Sequence, residues 1–434
     1  MKIGFQYGHE VLNLNLPDDS IIYESKYKPS PKGAVELLRE SLENPVACAK
    51  LTELLQGRRP GKIVIVVSDI TRPIPYHEFI PELLIILENS GVKREDIEIL
   101  VATGMHRSST KEEHLKMFGE FVCGNYPITD HDCSDAKNLE QLRRHSWSGS
   151  SVRLNKKYVR AGFRIITGLV EPHFMAGFSG GRKAICPGLV DLETIQKFHG
   201  YTFLSHPNAT SSVMVDNPCN LENTSVAQLC PPDYSINVIL DNHKKINSIV
   251  SGELFASHHR SVQIVKAACC PLVNEVADVA VTSSGGYPLD ATFYQCVKGL
   301  VNCLPAVREE GEIIAFGSCM EGIGSPEYAA LLEKYSGDYL RFIEDIKENR
   351  FFIKDQWQLQ MQIRVLKKTG QHYLHFYTSS IPQEKLSLLS VTPHEVAAQD
   401  IEKAMQNHVN QLVAAKKRIA VFPEGPYCSP VSRQ

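Results

Sequence analysis

Lys62-Ile-Val-Ile-Val-Val-Ser-Asp69 sets five consecutive β-branched apolar residues before a serine and an aspartate. The run is short and continuous, without alternation, so it reads as a strand buried on both faces. Ile70-Thr-Arg-Pro-Ile-Pro75 follows, and its two prolines exclude helix and mark a turn. From His77 to Asn89 the apolar residues fall at helical spacing, closed by Gly91. Asp96 to Ala102 repeats the buried-strand pattern, before Thr103-Gly-Met-His-Arg107 and a helix starting near Ser109 or Thr110. Arg164 to Leu169 is a third such strand. Strand, helix and strand in alternation predict an α/β architecture, with polar loops at the carboxyl ends of the strands. Ligands bind in that crevice in open α/β sheets.

Further along, Ile236 to Leu240 and Ile246 to Ser251 read as strands joined around Asp241-Asn-His243, followed by a helix over Leu254 to Ala268. A second α/β unit opens at Ala277-Asp-Val-Ala-Val-Thr-Ser283. It continues through a helix over Asp290 to Cys303, a strand over Glu312 to Phe316, and helices near Glu327 to Tyr335 and Gln356 to Lys368. A strand over Tyr373 to Tyr377, a helix over Pro393 to Asn407 and a last strand over Arg418 to Phe422 complete it. The expected organisation is two α/β domains, residues 1–272 and 273–408, with the active site in the cleft between them. Whether the last strand, within 409–434, returns to the first domain stays open.

Bulk properties narrow the function classes. The 434 residues are 43% hydrophobic and 22% charged, with net charge −3. That is an ordinary globular balance, and no polybasic run points to nucleic acid or a membrane surface. The opening MKIGFQYGHEVLNLNLP has no apolar signal-like core, and no apolar run is long enough to span a bilayer. Among the twelve cysteines there is no CxxC, and Cys269 and Cys270 are adjacent. Free thiols of a reducing cytoplasm are expected.

Three loops follow strands of the first unit, and each carries unusual polar groups. Ser68-Asp-Ile-Thr-Arg-Pro73 offers Asp69, Thr71 and Arg72; Thr103-Gly-Met-His-Arg107 offers His106; Gly168-Leu-Val-Glu-Pro-His173 offers His173. Any one of these is unremarkable as a surface loop. Three at one sheet edge predict a site. Next comes Pro172-His-Phe-Met-Ala-Gly-Phe-Ser-Gly-Gly-Arg-Lys-Ala-Ile-Cys-Pro-Gly188. Gly177, Gly180 and Gly181 permit positive φ, and successive N–H groups of such a loop suit an anion such as phosphate. Ala184 stands where a Walker A loop has serine or threonine, and there is no GxGxxG. Lys183, ending the loop, would serve either as a cation or as a nucleophile holding a cofactor covalently. His199 stands without HxH, HxxxH or any Cys/His cluster nearby, so a metal on it would need most of its ligands from a cofactor. In the second unit Tyr294 and Lys298 share one helix face with Gln295 beside them, a set suited to a carboxylate, or to plain solvation.

Taken together these segments resemble the lactate racemase family, which uses a nickel pincer nucleotide. The residues carrying the resemblance are Asp69-Ile-Thr-Arg-Pro73, Gly104-Met-His-Arg107, Glu171-Pro-His173, Gly177-Phe-Ser-Gly-Gly-Arg-Lys183, His199 and Tyr294-Gln-Cys-Val-Lys298. Their order and spacing cover nearly the whole chain. The resemblance implies a racemase or epimerase of a small 2-hydroxy acid, served by cofactor-synthesis proteins. The implied cofactor is nickel in pyridinium-3-thioamide-5-thiocarboxylic acid mononucleotide. Lys183 would hold it as a thioamide, and His199 would be a nickel ligand. Asp69, Thr71, Met175, Ser179, Gly180 and Gly181 would contribute to its binding. His106 and His173 would be the acid/base pair, one on each face of the substrate. Arg72 and Lys298 would hold the substrate carboxylate, oriented by Tyr294 and Gln295. Hydride passing to and from the cofactor would answer the lack of an acidic α-proton in a 2-hydroxy acid. Met175 stands where an aromatic residue is expected in many relatives, which would replace ring stacking by a thioether contact. A nicotinamide-dependent 2-hydroxyacid oxidoreductase is the competing enzyme reading, against which the missing GxGxxG counts. A non-catalytic nucleotide- or cofactor-binding protein would leave the two histidines without a purpose.

Overall fold

In this computed structural model the described residues are 1–57, 61–348 and 352–432. The run Ile63–Ser68 is the central strand of a six-stranded sheet. It lies between Ile97–Ala102 and Phe163–Leu169, parallel to both. Ile128–Asp130 adds one edge; Tyr234–Leu240 and the antiparallel Ile246–Gly252 add the other. The unbroken apolar run is explained by its two faces. Val64 and Val66 join a core cluster on one side, while Ile63, Ile65 and Val67 join another on the opposite side.

A second sheet has the order Thr392–Glu395, Leu374–Thr378, Val307–Phe316, Ala277–Ser283, Ile419–Phe422, Ile21–Ile22, all parallel. The strand near the carboxyl terminus, left open by the sequence, therefore lies in the second sheet, between Ala277–Ser283 and a strand from the first 22 residues. A hairpin, Lys2–Tyr7 with Glu10–Asn15, precedes that strand. Its Phe5, Leu12 and Leu14 pack with the helix Ile401–Ala414 on the outer face of this sheet. The inner faces of both sheets share one buried cluster, running from Val66 and Ile166 to Ala280, Ile313 and Phe376.

The helix expected over Pro393 to Asn407 requires correction. The stretch opens as the edge strand Thr392–Glu395, and helix begins only at Ile401. Proline has no N–H to donate, which an edge strand tolerates and a helix interior does not. The helix expected near Thr110 starts at Lys111, where Thr110 Oγ1 accepts from the Glu113 amide at 3.2 Å and Glu113 accepts from the Thr110 amide at 2.8 Å. All twelve cysteines are free, ten of them buried. No helix among the described residues is long and apolar enough to cross a membrane.

Candidate active site

The first sheet ends its central strands in the loops singled out from sequence, and the helix Phe293–Cys303 approaches from the second unit. Between them opens a cavity of about 510 Å³. Arg72, His106, His173, Met175, Lys183, His199, Tyr294, Gln295 and Lys298 all line it, with Thr71 at its edge. A recess of about 100 Å³ adjoins it, lined by Asp69, Thr71, Ser179, Gly180 and Lys183 together with Ala102, Leu169 and Pro187. Gly181 lines neither. It turns against His258, whose Cδ2 would lie 2.6 Å from a Cβ there.

The histidines differ in which ring nitrogen faces the protein. His106 Nδ1 is 2.5 Å from Asp69 Oδ2, and Asp69 Oδ1 accepts the Thr71 hydroxyl at 2.7 Å. A carboxylate only accepts, so Nδ1 carries the proton and Nε2 presents a lone pair. His173 is the reverse. Its Nδ1 lies 3.3 and 3.2 Å from the amides of Met175 and Ala176. Backbone N–H groups only donate, so Nδ1 accepts and the neutral ring carries its proton on Nε2. Burial, reinforced by Lys183, Arg72 and Lys298, holds His173 well below the usual histidine range. His199 donates Nδ1–H to the Ile195 carbonyl at 3.0 Å, leaving an Nε2 lone pair. Burial and then Lys183 push it down to about 3, so it stays neutral.

Arg72, Lys183 and Lys298 line the cavity, as do Lys244 and Lys354, and of these five only Lys354 forms an ion pair within 4 Å among the described residues, with Glu327. Burial first, then Arg72, lowers Lys183 to about 7 and Lys298 to about 8. At neutral pH much of the Lys183 population is free amine, the nucleophilic form. Its Nζ sits 5.3 Å from the centre of the Phe198 ring.

The glycines are demanded by the protein's own packing. Gly177 and Gly180 have φ of 77 and 74°. A Cβ on Gly180 would lie 2.6 Å from Val170 Cγ2, and one on Gly177 would lie 2.4 Å from the Val213 carbonyl oxygen. The Ser179 hydroxyl donates to the Leu169 carbonyl at 2.7 Å and accepts from the Glu171 amide at 3.0 Å, tying the loop to its strand.

Residues 7–212 match the lactate racemase N-terminal domain, and residues 272–427 match the lactate racemase C-terminal domain. The chain is 31% identical to the lactate racemase of Thermoanaerobacterium thermosaccharolyticum over 431 residues, 98% of either chain. The chain belongs to the lactate racemase family. It is 32% identical over 394 residues to the lactate racemase of Lactiplantibacillus plantarum, covering 90% of this chain and 89% of that one. Its fold matches the solved lactate racemase apoprotein of T. thermosaccharolyticum with a TM-score of 0.88 at 30% identity, over 100% of both chains. A Thermotoga maritima protein shares the fold alone, with a TM-score of 0.65 at 16% identity over 88% of this chain and 98% of that one. Membership of the lactate racemase family makes the chain an enzyme of the isomerase class.

The candidate site of this lactate racemase family member also contains residues that sequence reasoning missed. Trp357 Nε1–H donates to the Tyr294 hydroxyl at 2.9 Å, and that hydroxyl donates to Asp355 at 3.2 Å. The Trp357 ring lies 4.9 Å from His199, and Gln360 donates to the His199 carbonyl at 3.3 Å. A signal existed in Gln356-Trp-Gln-Leu-Gln-Met-Gln362, where four glutamines line a helix that is buried on every side.

Proposed function

We propose that the chain is a racemase or epimerase of a small 2-hydroxy acid, lactate or a larger relative, working with nickel and a pincer nucleotide. The supporting observation is the cavity in which Arg72, Lys183 and Lys298, without ion-pair partners among the described residues, line the same space as His106, His173 and His199, three imidazoles with defined tautomers. The residues fit the cofactor: Lys183 offers a free amine at neutral pH, His199 offers a buried lone pair, and the adjoining recess holds the hydroxyls of Thr71 and Ser179 beside Lys183. Lys183 would hold the cofactor covalently and His199 would ligate its nickel. When bound, the cofactor supplies the hydride acceptor and donor for the substrate's C2.

The chain's own residues do the rest. Arg72 and Lys298 hold the substrate carboxylate. Gln295 lines the cavity beside Tyr294 and Lys298 and would help to orient the substrate. Tyr294, clamped between Trp357 and Asp355, walls the cavity. His106 Nε2 takes the hydroxyl proton, and Asp69 steadies the imidazolium that results. As folded here, His173 donates Nε2–H to the substrate oxygen. Acting as base for the second enantiomer would require its proton to move to Nδ1, against two backbone N–H groups.

The test uses protein made together with the cofactor-synthesis proteins and given single enantiomers of lactate and larger 2-hydroxy acids. Chiral chromatography should show interconversion without added nicotinamide nucleotide. Intact mass should exceed the chain mass by an increment that Lys183→Ala lacks, with nickel content falling in His199→Ala. An unchanged mass, with NAD-dependent formation of a keto acid as the only reaction, would refute the proposal.

A further inference from the structure

Away from the cleft, the outer face of the second sheet carries a polar cluster inside an otherwise apolar layer. Glu312, His375 and His394 come from three adjacent strands, and His408 comes from the helix Ile401–Ala414 laid over them. Around them that face packs Ile314, Phe316, Met405 and Val409. None of the four polar residues lines the cavity of the candidate active site.

The geometry is compact. His375 Nδ1 is 2.9 Å from His394 Nε2, and His375 Nε2 is 3.4 Å from Glu312 Oε1. His408 Nε2 is 3.0 Å from the same oxygen. One ligand nitrogen from each ring lies within 4.8 Å of the other two. Tyr377 stacks on His394 at 4.1 Å with the planes 2° apart, and its hydroxyl meets His408 Nδ1 at 2.8 Å. The side chains of Glu312, His375 and His408 are 17, 17 and 14% exposed and His394 is partly exposed, so the cluster reaches solvent.

We propose that His375, His394 and His408 form a site for a divalent transition metal of the zinc type, with Glu312 as the carboxylate behind it. Zinc–nitrogen bonds of about 2.0–2.1 Å place tetrahedral ligand atoms roughly 3.3 Å apart. The His375 and His394 nitrogens already stand near that separation. Ligation through His375 Nδ1 leaves its Nε2–H facing Glu312, the carboxylate–histidine–metal relay that fixes a ligand ring. An ion would join two strands and a helix through one centre, with Glu312 of a third strand behind it, and would offset the cost of placing these groups in an apolar layer. The same contacts close without an ion as a proton-ordered chain, with Glu312 accepting from His375 and His408, and these two rings accepting from His394 and Tyr377. Metal binding separates the two.

The full chain, freed of metal by dialysis against a chelator, is titrated with zinc in competition with a chromophoric chelator. One tight equivalent is expected. It should persist in His199→Ala, which removes the cleft ligand, and fall at least tenfold in affinity in His394→Phe, which keeps the stack on Tyr377. Glu312→Gln should weaken it about 10–100-fold. X-ray absorption of the zinc-loaded protein should report imidazole ligands at about 2.0 Å. Equal zinc affinity in His394→Phe and the unsubstituted chain would overturn the site. So would zinc uptake that His199→Ala abolishes, or no uptake at all, which would leave the proton-ordered chain.

Discussion

Asp69 spends both oxygens within its own neighbourhood, one on Thr71 and one on His106. Burial alone would raise its carboxyl above the ordinary 3.8, but the hydrogen bond and charge of His106, with Arg72, outweigh burial and lower it. A carboxyl depressed in the folded state stabilises the fold above its ordinary pKa, and that stability is lost as pH falls through the folded value. Asp69→Asn is expected to keep the cofactor mass increment and to lose about 10²–10⁴-fold in racemisation rate. The amide can present N–H to His106 Nδ1, which moves the ring proton to Nε2 and removes the basic lone pair. By urea unfolding, the stability gap to the unsubstituted chain should be flat above about pH 5 and close below the ordinary carboxyl range. An undiminished rate across neutral pH would show that the pair is not used. Sequence singled out both residues because each follows a buried strand. It assigned Asp69 to the cofactor and did not read the contact with His106, because side-chain direction across two neighbouring strands is not written in spacing. Trp357 and Asp355 escaped for a different reason: they sit at a helix start in the second unit, at no strand end.

The glycine loop is the element where conformation and packing coincide. Gly180→Ala meets a φ of 74° and Val170 at 2.6 Å together. Gly91 has a φ of 88° with nothing within 4 Å of a Cβ, so Gly91→Ala isolates the backbone term. That term is about 1–2 kcal/mol. Urea unfolding should show Gly180→Ala costing more than Gly91→Ala, by the clash. Equal costs would show that the loop yields freely. The need for positive φ at Gly177, Gly180 and Gly181 was legible in sequence, but its cause was not: these glycines lie against Val170, Val213 and His258 of the same chain. Long apolar strands and capped helices were likewise readable. The hairpin Lys2–Tyr7 with Glu10–Asn15 was not read, although Phe5 and Tyr7, then Leu12 and Leu14, alternate as a half-buried strand requires. Pro393 misled because helical spacing continued through an edge strand.

At the scale of the molecule, the two sheets are not cut from two consecutive pieces of chain. Residues 2–22 cover and extend the second sheet, the chain then builds the first, and it returns to the second at Ala277. Phe5 and Leu14 are fully buried in that outer layer and Leu16 is nearly so. Each such side chain contributes about 1.5–3 kcal/mol by burial. Deleting residues 1–16 should therefore lower the Tm of the apoprotein by several degrees and raise binding of a hydrophobic dye. An unchanged Tm would show that the hairpin is an ornament on the sheet. The last strand's sheet was undecidable from sequence because pairing between Ala420 and Ile21 joins the two ends of the chain, and no local pattern records such a partner.

That pairing has a consequence for synthesis. The hairpin leaves the ribosome about 400 residues before its cover, Ile401–Ala414, and the strand Ile419–Phe422. At about 5–20 residues per second the wait is roughly 20–80 s. Every strand of the first sheet lies between Ile63 and Gly252, so that unit can close while translation continues. The nascent hairpin cannot. Through that interval Phe5, Leu12 and Leu14 have no native partner layer, and the amino-terminal segment keeps its apolar face uncovered.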